Sequence, residues 1–268
     1  MTITRLPITG FSNPAVKAAR ALREKKHRRR EERFLAEGLR LLTEAREAGI
    51  VPEALWLGQH RDPHPLVDAL ERAVADSGGT IYETTTDILS KISGKDNPQT
   101  VLGVFADLPT SLAALDRSRS GIWLVAQAMR DPGNLGTMLR TCDAVGAGGL
   151  ILVDQCVDPF SVEAVRASMG AVFTVPLAQA DWSDFLTWLR AGPGQLVGTS
   201  LNTTHDYRGA AYASPAFLLI GNEAQGLPVE YEAACDLLVK IPMLGKADSL
   251  NAAVAGAVIA YEVLAQQG

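Results

Sequence analysis

Short runs of apolar residues recur along the chain, and between them apolar positions return every three or four residues. The first spacing fits strands buried on both faces, and the second fits amphipathic helices. In the front of the chain Arg33–Glu37, Ala54–Leu57, Thr80–Glu83 and Val101–Ala106 read as strands. Helical patterns lie between them at Leu39–Ala48, where Leu39, Leu42 and Ala45 share a face, at Pro65–Ala75 and at Asp87–Ile92. Asn13-Pro14 opens a further, strongly basic helix, with proline in the first turn, where its missing N–H is no loss.

After Gly121 the alternation is clearer. Strands are predicted at Ile122–Gln127, Leu150–Val153, Thr174–Pro176, Leu196–Thr199, Phe217–Ile220 and Leu237–Ile241. Helices are predicted at Leu135–Val145, Ser161–Met169, Trp182–Arg190, Val229–Ala234 and Leu250–Gln266. Continuous apolar strands alternating with helices imply a parallel sheet covered on both faces. The chain is therefore α/β in class: a small α/β domain over residues 1–106, and a parallel-sheet α/β domain over 122–268. Residues 107–121, rich in Ser, Leu and charge without a clean period, are the expected linker. Parallel sheets bind ligands beyond the carboxyl ends of their strands, so the residues that follow strands are the candidates.

With 47% apolar residues in 268, a sizeable core is possible. No apolar run reaches the roughly 20 residues that span a bilayer, and the stretch Ala252–Leu264 reads as a buried helix. The N-terminus has no apolar signal core. Cys142, Cys156 and Cys235 are odd in number and widely spaced, unlike a disulfide framework or a metal knuckle. No membrane, no metal and a cytoplasmic location are the expectations. The net charge of −5 conceals an asymmetry: residues 1–40 hold 11 Lys/Arg and 4 Asp/Glu, and the other 228 hold 14 and 26. The basic cluster includes Arg23, Lys25, Lys26, Arg28, Arg29 and Arg30. Such a cluster is either a solvated helix face or the footprint of phosphate contacts, and a basic head on an acidic body favours RNA.

Three segments carry candidate chemistry. In Asp131–Gly146, DPGNLGTMLRTCDAVG, Pro132-Gly133 turns the chain after a strand, Asn134 stands where a helix cap belongs, and Arg140 lies on the helix. In Phe217–Pro228, FLLIGNEAQGLP, a buried strand runs into Gly221 and Glu223, with glycines that let backbone approach a ligand. In Leu237–Glu262, Ile241-Pro242-Met243 ends a strand, and Ser249 and Asn251 stand at the mouth of a small-residue helix that Ser249 can cap. The glycine spacing of a dinucleotide fold is absent: Gly133 and Gly136 do not fit it, and Gly146, Gly148 and Gly149 precede a strand. The P-loop pattern is absent too.

These segments together resemble the SpoU family of RNA 2′-O-ribose methyltransferases. The matching pieces are N-L-G-x-x-L-R in Asn134–Arg140, I-G-N-E-x-x-G in Ile220–Gly226, I-P-M-x-G-x-x-x-S-L-N in Ile241–Asn251, and Val165–Ala171. The resemblance covers residues 122–265, and the front of the chain is similar to the small ribosomal-protein-like substrate domain of many members. It implies a catalytic domain of the SPOUT type with a deep trefoil knot, a homodimer, and S-adenosylmethionine as methyl donor. It places the donor among Thr199, Gly221, Ile241, Met243 and Leu250. It matches Asn134, Arg140, Glu223, Ser249 and Asn251 to the family's functional polar residues, with Arg140 either a general base or a fixed charge at the reacting ribose. Ala224 departs from the glycine of many members, and Ala252-Ala253 from the common Val-Ser. Large-subunit (23S) ribosomal RNA is the implied substrate, transfer RNA the alternative, and a non-catalytic RNA-binding protein the rival class.

Overall fold

The computed structural model describes residues 3–222 and 225–267. The chain forms two compact units. One holds the residues up to Leu108 together with Asp158–Thr174, and the other holds Pro109–Val157 and the residues from Val175 onward.

The first unit runs β1 (Leu6–Ile8), α1 (Pro14–Ala21), α2 (Lys25–Glu31), β2 (Arg33–Glu37), α3 (Leu39–Glu47), β3 (Ala54–Gly58), α4 (Pro65–Asp76), β4 (Thr80–Thr84), α5 (Thr86–Ser93) and β5 (Val101–Ala106). Its five strands lie in the order β1-β4-β3-β5-β2. β1 and β3 run parallel to β4, and β5 runs antiparallel to β3 and β2. Four of these strands stand where the sequence put them. β1 was not anticipated, because three residues are too few to show a period. The basic helix also divides in two. The Asn13 side chain caps α1 by accepting from Ala15 N at 2.8 Å, and Val16, Ala19 and Leu22 enter the core. The chain then breaks before α2, and the Arg28 guanidinium folds back onto the carbonyls of Leu22 and Arg23, 2.8 Å from each.

The remaining elements are β6 (Ile122–Gln127), α6 (Pro132–Ala144), β7 (Leu150–Val153), α7 (Val162–Ala167), α8 (Ala171–Thr174), β8 (Leu177–Ala180), α9 (Trp182–Arg190), β9 (Gln195–Thr199), β10 (Ala216–Ile220), α10 (Val229–Ala234), β11 (Leu237–Val239) and α11 (Ala252–Gln267). α7 and α8 belong to the first unit, which the division at residues 107–121 did not foresee. The cause is aromatic: Phe160 stacks on Phe34 at 4.9 Å, and Phe173 packs on Phe105 at 4.9 Å. It also explains why the strand expected at Thr174–Pro176 begins later, at Leu177: the preceding Ala171–Phe173 is a buried helical turn.

The second unit is built on a six-stranded sheet, β11-β9-β10-β6-β7-β8, with every neighbouring pair parallel. One face packs Trp123, Val125, Ile151 and Phe217 against Phe185 and Leu189 of α9. On the other, α6 and α11 pack together and α11 lies on β10 and β6. A methyl group added at Gly256 would stand 3.4 Å from Ile220 Cγ1, so the small residue sets how closely α11 approaches the sheet. β10 is inserted between β6 and β9, so the chain order reverses there, and the carboxyl ends of β9, β10 and β11 open on one side.

Candidate active site

Those strand ends and the start of α11 enclose a cavity of about 450 Å³. Ile220, Leu227 and Val239 give it an apolar, buried floor. Thr199, Gly221, Ile241, Met243 and Leu250, five residues from four separate segments, all line it, and so does Ser249. The fit to a compact amphipathic ligand rests on the loop after β10. A Cβ at Gly221 would lie 2.5 Å from the Gly226 carbonyl carbon and 2.7 Å from Leu227 N, so only glycine lets the loop fold back on itself here. Gly226 N donates to Asn222 O at 2.9 Å, and Asn222 Nδ2 donates to the Ala128 carbonyl beyond β6 at 2.9 Å. The cavity size is that of ordinary small-molecule sites.

The polar residues behave less uniformly. Asn251 Nδ2 donates to Asn134 Oδ1 at 2.8 Å, across 117 residues of sequence, and joins the starts of α6 and α11. Both cap assignments change. Asp131 caps α6, accepting from Asn134 N at 2.7 Å, because Pro132 starts the helix three residues earlier than the apolar pattern does. Asn251, not Ser249, caps α11, accepting from Ala253 N at 3.0 Å and Val254 N at 3.2 Å. Ser249 is thereby left facing the cavity. Arg140 is exposed on α6 and is not part of the cavity wall. No ion pair joins it to another described residue. Glu223 lies outside the described residues.

Sequence reading missed Asn202, Glu232 and Lys240, which also line the cavity. Asn202 follows β9 closely, so the strand-end rule could have found it. Glu232 gives no such signal, since it sits on α10 outside every motif. The thiol of Cys235, which packs beneath Gly198 of β9, is pushed up to about 12 by burial and the nearby Asp236 and Glu232 carboxylates. It carries no thiolate at neutral pH.

In the first unit Arg23, Lys25, Lys26, Arg29 and Arg30 are exposed. Arg28 is the correction: its side chain is 5% exposed, its Nη2 lies 2.7 Å from Asp158 Oδ2, and Nε, Nη1 and Nη2 all donate to groups of the same unit. It cannot offer itself to a phosphate. Arg20 and Arg23 border a broad hollow with Lys91 and Lys95, two lysines that the basic cluster of the sequence did not include.

Two families match successive stretches of the chain. Residues 121–261 match the SpoU rRNA Methylase family, and residues 13–103 match the MRM3-like substrate binding domain. The chain belongs to the SpoU rRNA methylase family. It is 31% identical over 257 residues to a Bacillus subtilis 23S rRNA (guanosine(2553)-2'-O)-methyltransferase, covering 96% of this chain and 98% of the relative. A 23S rRNA (uridine(2479)-2'-O)-methyltransferase of Streptomyces viridochromogenes is 34% identical over 70% of this chain and 59% of its own length. Among solved structures, the AdoMet-bound rRNA methyltransferase of Sinorhizobium meliloti superposes with a TM-score of 0.90 at 40% identity, covering 97% of each chain. The methyltransferase AviRb of Streptomyces viridochromogenes in complex with AdoMet gives 0.84 at 29% identity, over 95% of this chain and 98% of that one. Among the described residues no helix is long and apolar enough to cross a membrane.

Proposed function

We propose that this protein methylates a ribose 2′-hydroxyl of 23S ribosomal RNA, with S-adenosylmethionine as donor. The observation that carries this reading is the convergence of Thr199, Gly221, Ile241, Met243 and Leu250 on one cavity at the strand ends of a SpoU chain. Bound there, the donor supplies a methyl group already activated on a sulfonium. The apolar floor excludes water, and the folded-back loop at Gly221 presents backbone instead of side chain to the ligand. Ser249 offers a hydroxyl at the cavity wall. Arg140 supplies the charge at the acceptor: its guanidinium stabilises oxyanion character on the 2′-oxygen and holds the neighbouring phosphate. Asn134 and Asn251 fix the two helix starts.

The same proposal includes a homodimer. Arg140 lies outside the cavity of its own chain, and α11, which packs on α6, exposes Val254, Tyr261 and Leu264. A second copy covering that apolar row would bring an Arg140 to each site. The trefoil knot implied by the family belongs to this reading as well. The three unpaired cysteines suit a reducing cytoplasm.

Methyl-labelled donor incubated with 23S rRNA should yield a labelled 2′-O-methyl nucleoside, recognised by its resistance to alkaline cleavage of the following phosphodiester. The donor alone should raise the unfolding free energy by roughly 2.7 kcal/mol at 100 times its dissociation constant. Label confined to transfer RNA would move the substrate, and no donor binding would reject the enzyme.

RNA affinity should depend on the exposed basic residues. Deleting the N-terminal 33 residues would remove Val16, Ala19 and Leu22 from the core, so point changes are the better instrument. Replacing Lys25, Lys26, Arg29 and Arg30 by alanine should weaken RNA binding and flatten its salt dependence, by a slope of roughly 0.7–0.9 for each phosphate no longer neutralised. An unaltered salt slope would make the cluster a solvated face only.

A further inference from the structure

A second cluster of polar and aromatic side chains sits at the carboxyl ends of β6 and β7, beside the donor cavity but outside its wall. Asp154, the residue after β7, has φ +63° in the left-handed region, which asparagine and aspartate tolerate better than most residues. Its carboxylate collects three donors. Tyr231 OH donates to Oδ2 at 2.9 Å, Gln127 Nε2 to Oδ2 at 3.1 Å, and the Trp182 backbone N–H to Oδ1 at 3.1 Å. The Tyr231 ring lies flat on Trp182, with centroids 3.8 Å apart and planes 9° from parallel. Burial, together with the bond to Asp154, raises the tyrosine hydroxyl above its ordinary value, so it remains a donor.

Tyr231 belongs to α10, a helix with no fully buried residue of its own and with Val229 exposed at its start. Arg190 holds the far end of α10 through the Ala234 carbonyl at 2.7 Å. At the near end, the Tyr231 side chain ties the helix to the sheet through Asp154, and Glu232 Oε2 accepts from Asn202 Nδ2 at 3.4 Å. Two close neighbours of Tyr231 in sequence, Leu227 and Glu232, line the donor cavity. Leu227 packs in the apolar cluster that Tyr231 covers.

We propose that Tyr231, Asp154 and Trp182 form a latch that sets donor affinity from outside the cavity, by holding Leu227 and Glu232 in the cavity wall. Tyr231 and Asp154 are thus positioning residues. The inference rests on the cavity being the donor site.

The test is calorimetric titration of S-adenosylmethionine into the full chain and into Tyr231→Phe, which keeps the stack and loses the bond. Amide hydrogen exchange of α10 in the donor-free protein is measured in parallel. The dissociation constant should rise about tenfold, equivalent to 1.4 kcal/mol, and exchange in α10 should quicken. Tyr231→Ala, which loses the stack as well, should weaken binding further, and Phe therefore acts as its partial rescue. Arg117→Ala serves as the control: Arg117 lies 3.9 Å over the Trp188 ring and donates to Leu189 O at 2.9 Å, away from the cavity wall. It should lower thermal stability and leave donor affinity and α10 exchange unchanged. If wild type binds donor and Tyr231→Phe binds it equally well, the latch is wrong and the donor site stands. If Arg117→Ala weakens binding as much as Tyr231→Phe, the effect is general loosening and the latch is again wrong. A wild-type protein that binds no donor removes the donor reading and the latch with it.

Discussion

Arg140→Ala should fold normally, bind donor with near wild-type affinity, and methylate RNA about 10²–10³ times more slowly, the usual loss when one stabiliser of developing oxyanion charge is removed. The side chain is exposed on α6 and outside the cavity wall, so its removal disturbs neither core nor donor. Surface changes of that kind stay within about 0.5 kcal/mol of wild-type stability. Arg140→Lys separates the roles. A lysine keeps the charge and loses the planar fork, so partial recovery identifies charge stabilisation and no recovery identifies a need for guanidinium geometry. The proposed dimer makes a second outcome measurable. Arg140→Ala mixed with Gly221→Val, whose added side chain would collide with the Gly226 backbone, should regain activity that neither has alone. Turnover near wild type by Arg140→Ala in single-turnover conditions, with saturating RNA, would transfer the role to another residue.

The largest expected effect on stability comes from Arg28→Ala. The substitution leaves Asp158 and the carbonyls of Leu22 and Arg23 without their partner in a nearly closed site. Breaking a buried ion pair from one side costs about 3–5 kcal/mol, which a urea titration would show as an earlier unfolding transition. The pH dependence has a definite sign. Asp107 is already held above the usual carboxylate range, by burial first and then by Asp158 and Glu32, with Arg28 pulling it down. A carboxyl raised in the folded state favours folding below its unfolded value and loses that contribution as pH rises through the folded one. Without Arg28 the three carboxylates repel more strongly, so the deficit of the variant should narrow as pH falls toward about 4. A transition unmoved at pH 7 would show that the pair contributes nothing.

Much of this architecture was legible because the informative residues are those with strict demands. β6, β7 and β10 are unbroken apolar runs between helices, and such runs have one reading in a parallel sheet. The cavity is lined from the Ile220–Gly226 and Ile241–Asn251 pieces, which follow β10 and β11, where the strand-end rule directs attention. Helix starts were harder. Asp131 and Asn134, like Ser249 and Asn251, are all chemically able to cap, and only backbone geometry selects between them. Arg28 is indistinguishable in sequence from the lysines and arginines beside it. Its burial depends on Asp158, 130 residues away, and no local pattern encodes that partner. Glu232 was hidden for a related reason: it lines the cavity from α10, outside every motif that follows a strand.

The discontinuity of the first unit bears on how the two halves of this protein can be exchanged or dissected. A cut at Leu108 would carry Phe160, Val162 and Phe173 away from Phe34 and Phe105 and expose their aromatic and aliphatic surface. It would also leave Arg28 on one fragment and the acid that neutralises it on the other. The catalytic half is therefore not a cassette that a single cut releases. Transplanting it onto another RNA-binding module requires grafting Asp158–Thr174 with its recipient surface, or replacing that excursion by a polar loop. A change of substrate domain in such a lineage would have to alter two separated stretches of sequence together.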